Sequence, residues 1–303
     1  MKLAKIVVVG SINMDVVIRV PHIPVEGETI MARSVQYYGG GKGANQAIAM
    51  SRLGGDVHMI GRVGKDAHGQ RLYDNLLENG TKTAGVEWDE DQPSGTAYIY
   101  VSDRGENNIV VFSGANSKVD VAQINRYEHL FDDAEYCLMQ MEIPRETIEH
   151  TVQVCKQKGV KIILNPAPAQ PLSEQILEGL YILIPNESEL DLLCPGPGSL
   201  EEKSAKLYGS GVQNLIVTLG AKGSMLMNEA GVKYFPAVPV KPVDTTAAGD
   251  SFIGGLTIGL SNKMDLEAAI QYASLVAAIT VSKMGAQASL PDLAAVEAYL
   301  AGK

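Results

Sequence analysis

Cysteine is scarce in this sequence. Its 303 residues include only three, Cys137, Cys155 and Cys194, at wide spacings. No two of them lie close enough to suggest a metal knuckle or a redox pair. Three reduced thiols are typical of a cytoplasmic protein, and that is the location we expect.

Basic charge and long apolar runs are also limited. The 25 Lys and Arg residues are outnumbered by 35 Asp and Glu residues, so the net charge is −10 and the pI is near 5.0. General binding to nucleic acid needs a basic face, so we expect no nucleic-acid partner. No apolar run approaches the ~18 residues of a membrane helix, so we expect no membrane partner. A small anionic ligand is still compatible with this charge, because backbone amides can bind one locally.

Short apolar runs alternate with helical patterns along most of the chain. Runs that predict buried strands occupy residues 6–9, 57–60, 136–139, 161–164, 181–184 and 215–218. Patterns that predict helices occupy residues 43–53, 67–78, 145–158, 203–208, 249–260, 265–283 and 292–300. This alternation predicts βα units in an α/β fold with a mostly parallel central sheet. No interdomain linker interrupts it, so residues 1–303 are predicted to form a single domain.

Two segments break this alternation. Residues 15–38 hold two extended stretches without a helix, and residues 96–112 alternate polar and apolar side chains about a turn. Both are predicted to form antiparallel strands outside the main sheet. We interpret them as a small, discontinuous β-sheet lid built from two insertions.

A glycine-rich segment, residues 39–45, stands where a strand is predicted to meet a helix. Its glycines permit positive φ angles and the close approach of a ligand. It also fits the loose G-x-G-x-x-A pattern of dinucleotide-binding folds. The preceding residues 34–38 lack the pattern of a buried parallel strand, and no P-loop motif occurs in the chain. A ligand-binding loop, a dinucleotide site and a plain glycine-rich turn are the alternatives at this point.

The segment 244–252 opens the predicted helix 249–260. Its Ala247-Ala248-Gly249 run would let an anion approach successive backbone N–H groups at the positive end of the helix. Asp250 would then stand beside a bound phosphate, where a carboxylate can accept the proton of an attacking hydroxyl. The alternative is that Asp250 only caps the helix.

Polar residues follow several predicted strands, at the edge where α/β sheets bind their ligands. Asn186 and Glu189 carry oxygen atoms of the type that Mg²⁺ prefers, although a helix cap with an acidic first turn also explains them. The small residues of 218–223 could line a flat nucleotide or form only a tight turn. Either a ligand or a solvated loop would also explain Asn13, Asp15 and Glu142.

Taken in order, these motifs resemble those of the PfkB (ribokinase-like) family of carbohydrate kinases. The resemblance covers essentially the whole chain, and the ordered set of motifs is far more specific than any single one. The residues that carry it are Gly10-Ser11-Ile12-Asn13-Met14-Asp15, Gly40-Gly41-Lys42-Gly43-Ala44-Asn45-Gln46-Ala47, Asn165-Pro166-Ala167-Pro168-Ala169, Pro185-Asn186-Glu187-Ser188-Glu189, Thr218-Leu219-Gly220, residues 244–250 and Gly285-Ala286-Gln287.

The resemblance implies a three-layer αβα ribokinase-like fold and an ATP-dependent sugar kinase. The γ-phosphate of ATP would pass to the 5-hydroxyl of D-ribose, giving ribose 5-phosphate and ADP. Alternatives are 2-deoxyribose, another small sugar or a nucleoside, the last disfavoured by the presence of only 4 Phe and 1 Trp. A Rossmann-type oxidoreductase and a non-catalytic sugar-binding protein are the competing classes. A homodimer through the lid is expected, because the lid sheet leaves free edges and an apolar face.

The same resemblance assigns roles to individual residues. Asp250 would be the catalytic base, and Ala247, Ala248 and Gly249 would form the anion hole. The sugar would be held by Asn13, Met14, Asp15, Gly41, Lys42, Gly43, Ala44, Asn45, Glu142 and Asp250. ATP would be held by Asn186, Thr218, Leu219, Gly220, Ala221, Lys222, Gly223, Gly249, Asp250 and Ser274. Mg²⁺ would be organised through water by Glu189, and K⁺ would be bound by Asp244, Thr246, Thr280, Lys283, Gly285 and Ser289.

Two residues depart from the family pattern. Gly39 adds a third glycine where many relatives carry a bulkier residue, and we expect this to loosen the packing of the sugar loop. Ser274 stands where Asn or His is frequent, which bears on one contact to adenine.

Overall fold

The computed structural model describes residues 4–302 of the chain. Its strands are β1 (Lys5–Val9), β2 (Asn13–Val20), β3 (Ser34–Gly40), β4 (Asp56–Gly64), β5 (Lys82–Asp89), β6 (Gly95–Ser102), β7 (Asn107–Phe112), β8 (Ala134–Gln140), β9 (Lys161–Asn165), β10 (Leu180–Leu183), β11 (Asn214–Thr218), β12 (Ser224–Asn228) and β13 (Gly231–Phe235). Its α-helices are α1 (Lys42–Arg52), α2 (Ala67–Glu78), α3 (Val121–Arg126), α4 (Arg145–Lys158), α5 (Glu174–Leu177), α6 (Glu187–Leu193), α7 (Leu200–Tyr208), α8 (Ala248–Ser261), α9 (Leu266–Val281) and α10 (Leu293–Ala301).

A nine-stranded sheet forms the centre of the molecule, in the order β13-β12-β11-β10-β9-β8-β1-β4-β5. The strands from β11 to β5 run parallel, while β12 and β13 extend the sheet as an antiparallel hairpin. Ile6 and Val8 pack into one apolar core and Val7 and Val9 into the other, because successive side chains of a strand point to opposite faces. Helices cover both cores, which confirms the three-layer α/β architecture.

A separate four-stranded sheet has the order β3-β2-β6-β7. It combines the two segments that the sequence analysis placed outside the main sheet. One detail differs from the expectation of antiparallel strands, because β2 and β6 pair in parallel, with Asn13 opposite Gly95. These two strands belong to separate insertions that enter the small sheet in the same direction, so no tight turn connects them.

Helix boundaries follow local capping. Asp66 accepts a hydrogen bond from Gly69 N (2.6 Å) and starts α2, while Gly159 ends α4 in the left-handed conformation (φ 69°). The predicted bounds 67–78 and 145–158 are confirmed, and the other predicted helices shift by one to three residues. The sequence analysis missed β5, β12 and β13, since none of them is a continuous apolar run flanked by helices.

The three cysteines are buried and unpaired. Among the helices of residues 4–302, none combines the length and the apolar character needed to cross a bilayer.

Candidate active site

A cavity of about 210 Å³ opens where the carboxyl ends of the central strands face the N-termini of α1 and α8. It brings together predicted residues from the sugar, nucleotide, anion-hole and magnesium groups. The residues that line it are Lys42, Asn165, Ile184, Asn186, Glu189, Thr218, Thr245, Ala247, Ala248, Gly249, Asp250 and Ile253.

The N-terminus of α8 forms one wall of this cavity. Ala247 precedes the helix in the left-handed conformation (φ 60°), and no side chain caps the helix. The first N–H groups of a helix have no partner within it. Ala248 N donates to Thr245 O (3.2 Å) outside the helix, so the N–H groups of Gly249 and Asp250 are the ones available to an anion. Apart from its chain neighbours and the backbone of its own helix, a Cβ added to Gly249 would meet no described atom within 4 Å, so a ligand has room there. This geometry suits the predicted anion hole.

Asp250 lies in the first turn of α8 and is only 8% exposed. Its Oδ2 accepts a hydrogen bond from Asn45 Nδ2, and its Oδ1 accepts one from Gln46 Nε2, each at 2.9 Å. Both donors lie at the start of α1, so two helix N-termini assemble this group. Two charge-assisted hydrogen bonds fix the carboxylate, and each oxygen retains a lone pair that a hydroxyl can use.

Gln46 is a residue of this site to which the sequence analysis gave no role. Its Oε1 accepts a hydrogen bond from Gln140 Nε2 (2.6 Å), and its Nε2 also donates to Asn165 Oδ1 (3.2 Å). Gln140 ends β8 and Asn165 ends β9, so two strands of the central sheet fix the donor that faces Asp250.

Asp15, Lys42 and Glu142 form a charged cluster beside Asp250. Burial, followed by the carboxylates of Glu142 and Asp250, raises the pKa of Asp15 to about 7. Burial disfavours the charge on Lys42, but the surrounding carboxylates, Asp250 first, outweigh it and raise the pKa of the ammonium group. An ammonium group among carboxylates offers both donors and acceptors, which suits a polyol.

Glu142 and two glycines hold the loop before α1 against the connection from β1 to β2. Glu142 Oε2 accepts hydrogen bonds from Ser11 Oγ and from Lys42 N, the second at 3.1 Å. Gly41 has φ 86°, and a Cβ there would lie 2.7 Å from Asn13 N. A Cβ on Gly43 would lie 2.6 Å from Ser11 N. Glycine is therefore required at both positions for the close approach of the two loops.

Asn13 begins β2 and takes part in the sugar group predicted from the sequence. Its Oδ1 accepts a hydrogen bond from Asn116 Nδ2 (2.6 Å), and Asn116 Oδ1 accepts one from Ile12 N (2.9 Å). Asn116 was missed, because nothing in the sequence links a turn after β7 to this position. Met14 and Ala44 belong to the same predicted group, but their side chains are buried in the apolar core and pack there.

Of the predicted nucleotide residues, Asn186, Thr218, Gly249 and Asp250 line the cavity. Asn186 Oδ1 accepts from Glu189 N (2.8 Å) and Glu189 Oε2 accepts from Asn186 N (2.9 Å), so the pair caps α6 and also lines the cavity. Residues 219–223 form a turn, closed by Leu219 N donating to Gly223 O at 2.8 Å. The Leu219 side chain is buried in the core. Ser274 Oγ donates to Ile270 O inside α9. Ser274 is not among the described residues that line the cavity.

Glu189, the residue predicted to organise Mg²⁺, lines the cavity. Residues 4–302 contain no group of three or more His, Cys, Asp or Glu side chains able to hold a metal by themselves. Mg²⁺ commonly keeps several waters and binds through one or two carboxylates together with substrate phosphates. Glu189 uses Oε2 in the helix cap, and burial raises the pKa of its carboxyl group, an effect that a nearby cation would offset.

Most of the residues predicted to bind K⁺ lie in two loops that meet at Asp244, while Thr280 lies in the last turn of α9. Asp244 precedes α8 in a segment outside any strand. Its Oδ1 accepts from Thr246 N (2.9 Å) and Thr246 Oγ1 (2.7 Å), and its Oδ2 accepts from Gly285 N (2.9 Å). Burial opposes the charge, but the hydrogen bonds from Thr246 and Gly285 lower the pKa of Asp244. Farther along the second loop, Ser289 Oγ donates to Ala286 O (2.7 Å).

Comparison with known proteins decides between the function classes. Residues 3–293 match the family model described as pfkB family carbohydrate kinase. The chain belongs to this family. It is 37% identical to the ribokinase of Haemophilus influenzae over 94% of each chain. It also resembles the crystal structure of Thermotoga maritima ribokinase, with a TM-score of 0.92, 37% identity and coverage of 99% of this chain and 100% of the other. The structure of Arabidopsis thaliana ribokinase complexed with ribose and ATP gives a TM-score of 0.91 at 32% identity, covering 99% of both chains.

Membership of the pfkB family explains the glycine-rich segment 39–45. This segment joins β3 of the small sheet to α1 and does not follow a parallel strand of the central sheet. A Rossmann-type dinucleotide site needs that parallel strand before its glycines. The G-x-G-x-x-A pattern of this chain therefore belongs to a pfkB-family kinase and not to a Rossmann-type oxidoreductase.

Proposed function

We propose that this pfkB-family chain is an ATP-dependent kinase of D-ribose that phosphorylates the 5-hydroxyl. The observation that carries the proposal is the position of Asp250. It is a buried carboxylate, held by two amide donors, in the same cavity as the uncapped N-terminus of α8. The choice of substrates is supported by the relative named ribokinase and by the similar structure that holds ribose and ATP.

The reaction follows from these positions. The 5-hydroxyl gives its proton to Asp250 while its oxygen forms a bond to the γ-phosphorus of ATP. The bond from that phosphorus to the bridging oxygen breaks, and ADP leaves with the electron pair. The N–H groups at the start of α8 stabilise the charge on the phosphoryl oxygens. Lys42 lines the same cavity and contributes a positive charge. General-base catalysis of this kind contributes about 10²–10⁴ in rate.

Two cations complete the proposal. Mg²⁺ would be held by ATP phosphates and, through water, by Glu189, and it would neutralise charge on the transferring group. K⁺ would be held where the two loops meet, by the side chains of Asp244 and Ser289 and by backbone carbonyl groups. It would fix the peptide orientations of residues 246–249, and thereby the aim of the N–H groups at the phosphate.

The small sheet is proposed as a lid over the sugar and as the dimer interface. A lid excludes water, so that the sugar and not water attacks the phosphate. Eight of its apolar side chains, on β3, β6 and β7, are 38% to 60% exposed: Val35, Tyr37, Tyr38, Tyr98, Ile109, Val110, Val111 and Phe112. We propose that a second copy of the chain covers these exposed apolar side chains. The location proposed for this dimer is the cytoplasm. Sedimentation should give a dimer, and Val110→Lys should give a monomer.

One assay tests the activity. ADP formation is measured with ATP, Mg²⁺ and a panel of ribose, 2-deoxyribose, other pentoses and ribonucleosides, while NAD(H) absorbance is followed in parallel. Ribose-dependent ADP formation, together with ribose 5-phosphate as the product, is the expected result. A faster reaction with 2-deoxyribose or a nucleoside would replace the proposed substrate, and the absence of ADP formation with every sugar would contradict the kinase.

A further inference from the structure

Gln287 is not among the residues that line the cavity and has no role in the site described so far. It begins the 3₁₀ turn Gln287–Ser289 after α9 and is 7% exposed. Its Nε2 donates to Asn45 Oδ1 (2.9 Å), and its Oε1 accepts from Asn75 Nδ2 (2.7 Å). Because Asn45 donates in turn to Asp250, Gln287 stands two hydrogen bonds away from the base.

Beyond Asn75 the hydrogen bonds lead to a guanidinium group. Asn79 Nδ2 donates to Asn75 O (2.7 Å) and to Asn75 Oδ1 (3.2 Å), and Arg52 Nε donates to Asn79 Oδ1 (2.6 Å). Arg52 also holds the turn itself, because its Nη1 donates to the carbonyl of Gln287 at 2.7 Å. We call the four connected side chains the amide chain: Asn79, Asn75, Gln287 and Asn45.

The two ends of the amide chain fix its direction. Arg52 can only donate hydrogen bonds, and the Asp250 carboxylate can only accept them. Each amide between them accepts through its oxygen on the Arg52 side and donates through its nitrogen on the Asp250 side. Turning one amide over would place oxygen against oxygen on one side and nitrogen against nitrogen on the other. The orientation of Asn45 therefore depends on the residues behind it.

Gly39 provides the space for this arrangement. A Cβ added there would overlap Gln287 Oε1 and lie 2.9 Å from Asn75 Nδ2. The third glycine was expected to loosen the sugar loop, and this expectation does not hold. The place of a side chain at residue 39 is taken by the hydrogen bond between Gln287 and Asn75.

We propose that Gln287 is a positioning residue for the base Asp250. By occupying Asn45 Oδ1, it directs Asn45 Nδ2 toward Asp250 Oδ2. Without this donor, Asn45 can turn its oxygen toward the carboxylate, which removes one of the two donors and adds a repulsive contact. The proposal rests on the proposed kinase function for its readout, but it does not depend on which sugar is the substrate.

Gln287→Glu tests this directly, because it keeps the shape and replaces the donor by an acceptor. When the introduced carboxyl group is ionised, Asn45 should turn, and we expect kcat to fall about tenfold or more, the scale of one hydrogen bond to a charged group. The KM for ATP should stay within about twofold of the wild-type value, because the residue does not touch the nucleotide. The same carboxyl group can donate to Asn45 when it is protonated, so the loss should be smaller near pH 5.5 than near pH 8.5.

Asn75→Asp is a second variant at a less buried position. It also places an acceptor where the amide chain needs a donor, so Gln287 and then Asn45 should turn in sequence. We expect the same pH-dependent loss of kcat. The matched control is Gln123→Glu, because Gln123 is fully buried and donates to Gly61 O (2.7 Å) and Gly85 O (3.0 Å), away from Asp250. Its rate per folded molecule should match the wild type at every pH.

The outcomes separate the proposals. A pH-dependent loss of kcat in both Gln287→Glu and Asn75→Asp, absent from Gln123→Glu, supports the positioning role. Wild-type kinetics in the folded variants, or a loss that follows only their folded fraction at every pH, overturns it. If the wild-type chain phosphorylates 2-deoxyribose and not ribose, the same ratios are measured with that sugar. If the wild-type chain shows no kinase activity with any sugar, both the proposed function and the positioning role are contradicted.

Discussion

Gln46 Nε2 lies 2.9 Å from Asp250 Oδ1, so this hydrogen bond to the proposed base joins α1 to α8. The Gln46 amide is itself oriented by Gln140 at the end of β8, whose Nε2 lies 2.6 Å from Gln46 Oε1. The Asp250 carboxylate is thus held by three elements that are distant in the sequence. Its geometry depends on the packing of the central sheet against these two helices.

Gln46→Met should lower kcat by about tenfold or more, because hydrogen bonds to charged groups contribute about 1.5–3 kcal/mol. Methionine keeps the volume of the side chain but donates no hydrogen bond, so Asp250 loses one of its two partners. Gln123→Met is the control, since it also removes a buried amide but lies away from Asp250. Steady-state kinetics per folded molecule measures both. Equal kcat in the two variants would show that the hydrogen bond from Gln46 to Asp250 does not contribute to the reaction.

Gly249→Ala should separate activity from stability. Alanine is favoured over glycine in a helix by roughly 1 kcal/mol, and the added Cβ would meet no protein atom within 4 Å. It would instead fill space at the N-terminus of α8 where the phosphoryl group is expected. We therefore expect an unchanged or higher Tm and a kcat lowered by about 10²-fold, the scale of one lost oxyanion donor.

Gly254→Ala in the same helix is the matched control for this substitution. Its Cβ would lie 2.8 Å from Ala49 Cβ, so it should lower the Tm and leave the rate per folded molecule unchanged. Undiminished kcat in Gly249→Ala would show that no phosphoryl group passes through that space.

Asp15 should make the stability of the unliganded protein depend on pH. Its pKa is raised from 3.8 to about 7, so the folded state binds the proton more tightly than the unfolded state. The corresponding stability is fully present below about pH 4 and is lost as the pH rises through about 7. Asp15→Asn cannot ionise, so its Tm should exceed that of the wild type by roughly 2 °C or more at pH 8 but not at pH 4.

The exposed Asp91→Asn is the control for this prediction, and its Tm difference from the wild type should not change with pH. Thermal melts at both pH values measure the two differences. A Tm difference for Asp15→Asn that is equal at the two pH values would mean that Asp15 is not held in this environment.

K⁺ should activate the enzyme through Asp244. We expect kcat to rise when K⁺ replaces Na⁺ at fixed ionic strength, and Asp244→Ala to lose this response. Asp265→Ala is the control. The Asp265 carboxylate caps α9 by accepting a hydrogen bond from Ala268 N at 2.8 Å, so its removal should lower the free energy of unfolding by about 0.5–2 kcal/mol. It should keep the response to K⁺. Equal rates in K⁺ and Na⁺ would remove the ion from the mechanism and leave the kinase assignment intact.

The layers and the cavity walls could be predicted from the sequence because their signals are local. A buried run such as residues 6–9 and a capped helix such as 67–78 carry their pattern within a few residues. The Ala-Ala-Gly run before Asp250 is also local, as is the glycine loop before α1. These features define the fold and the reacting groups.

The groups that orient the base could not be predicted in this way. Gln46 and Gln140 are 94 positions apart, and Asn45 and Gln287 are 242 apart. A glutamine has no pattern that separates a buried hydrogen-bonding role from an exposed one. Gln46 and Gln287 do stand inside motifs that the family resemblance singled out, and this was the only available signal. Asn116 had no such signal.

Asp250→Asn tests the central claim most directly. The variant keeps the shape of the side chain but cannot accept the proton of the sugar hydroxyl, so the chemical step should slow by at least about 10²-fold. Binding of ribose by calorimetry and the Tm should show that the site is intact. The decisive measurement is the single-turnover rate of ribose phosphorylation with saturating ATP and Mg²⁺. A rate reduced by at least about 10² in a folded, ribose-binding variant is the expected result, and a rate near that of the wild type would contradict the mechanism.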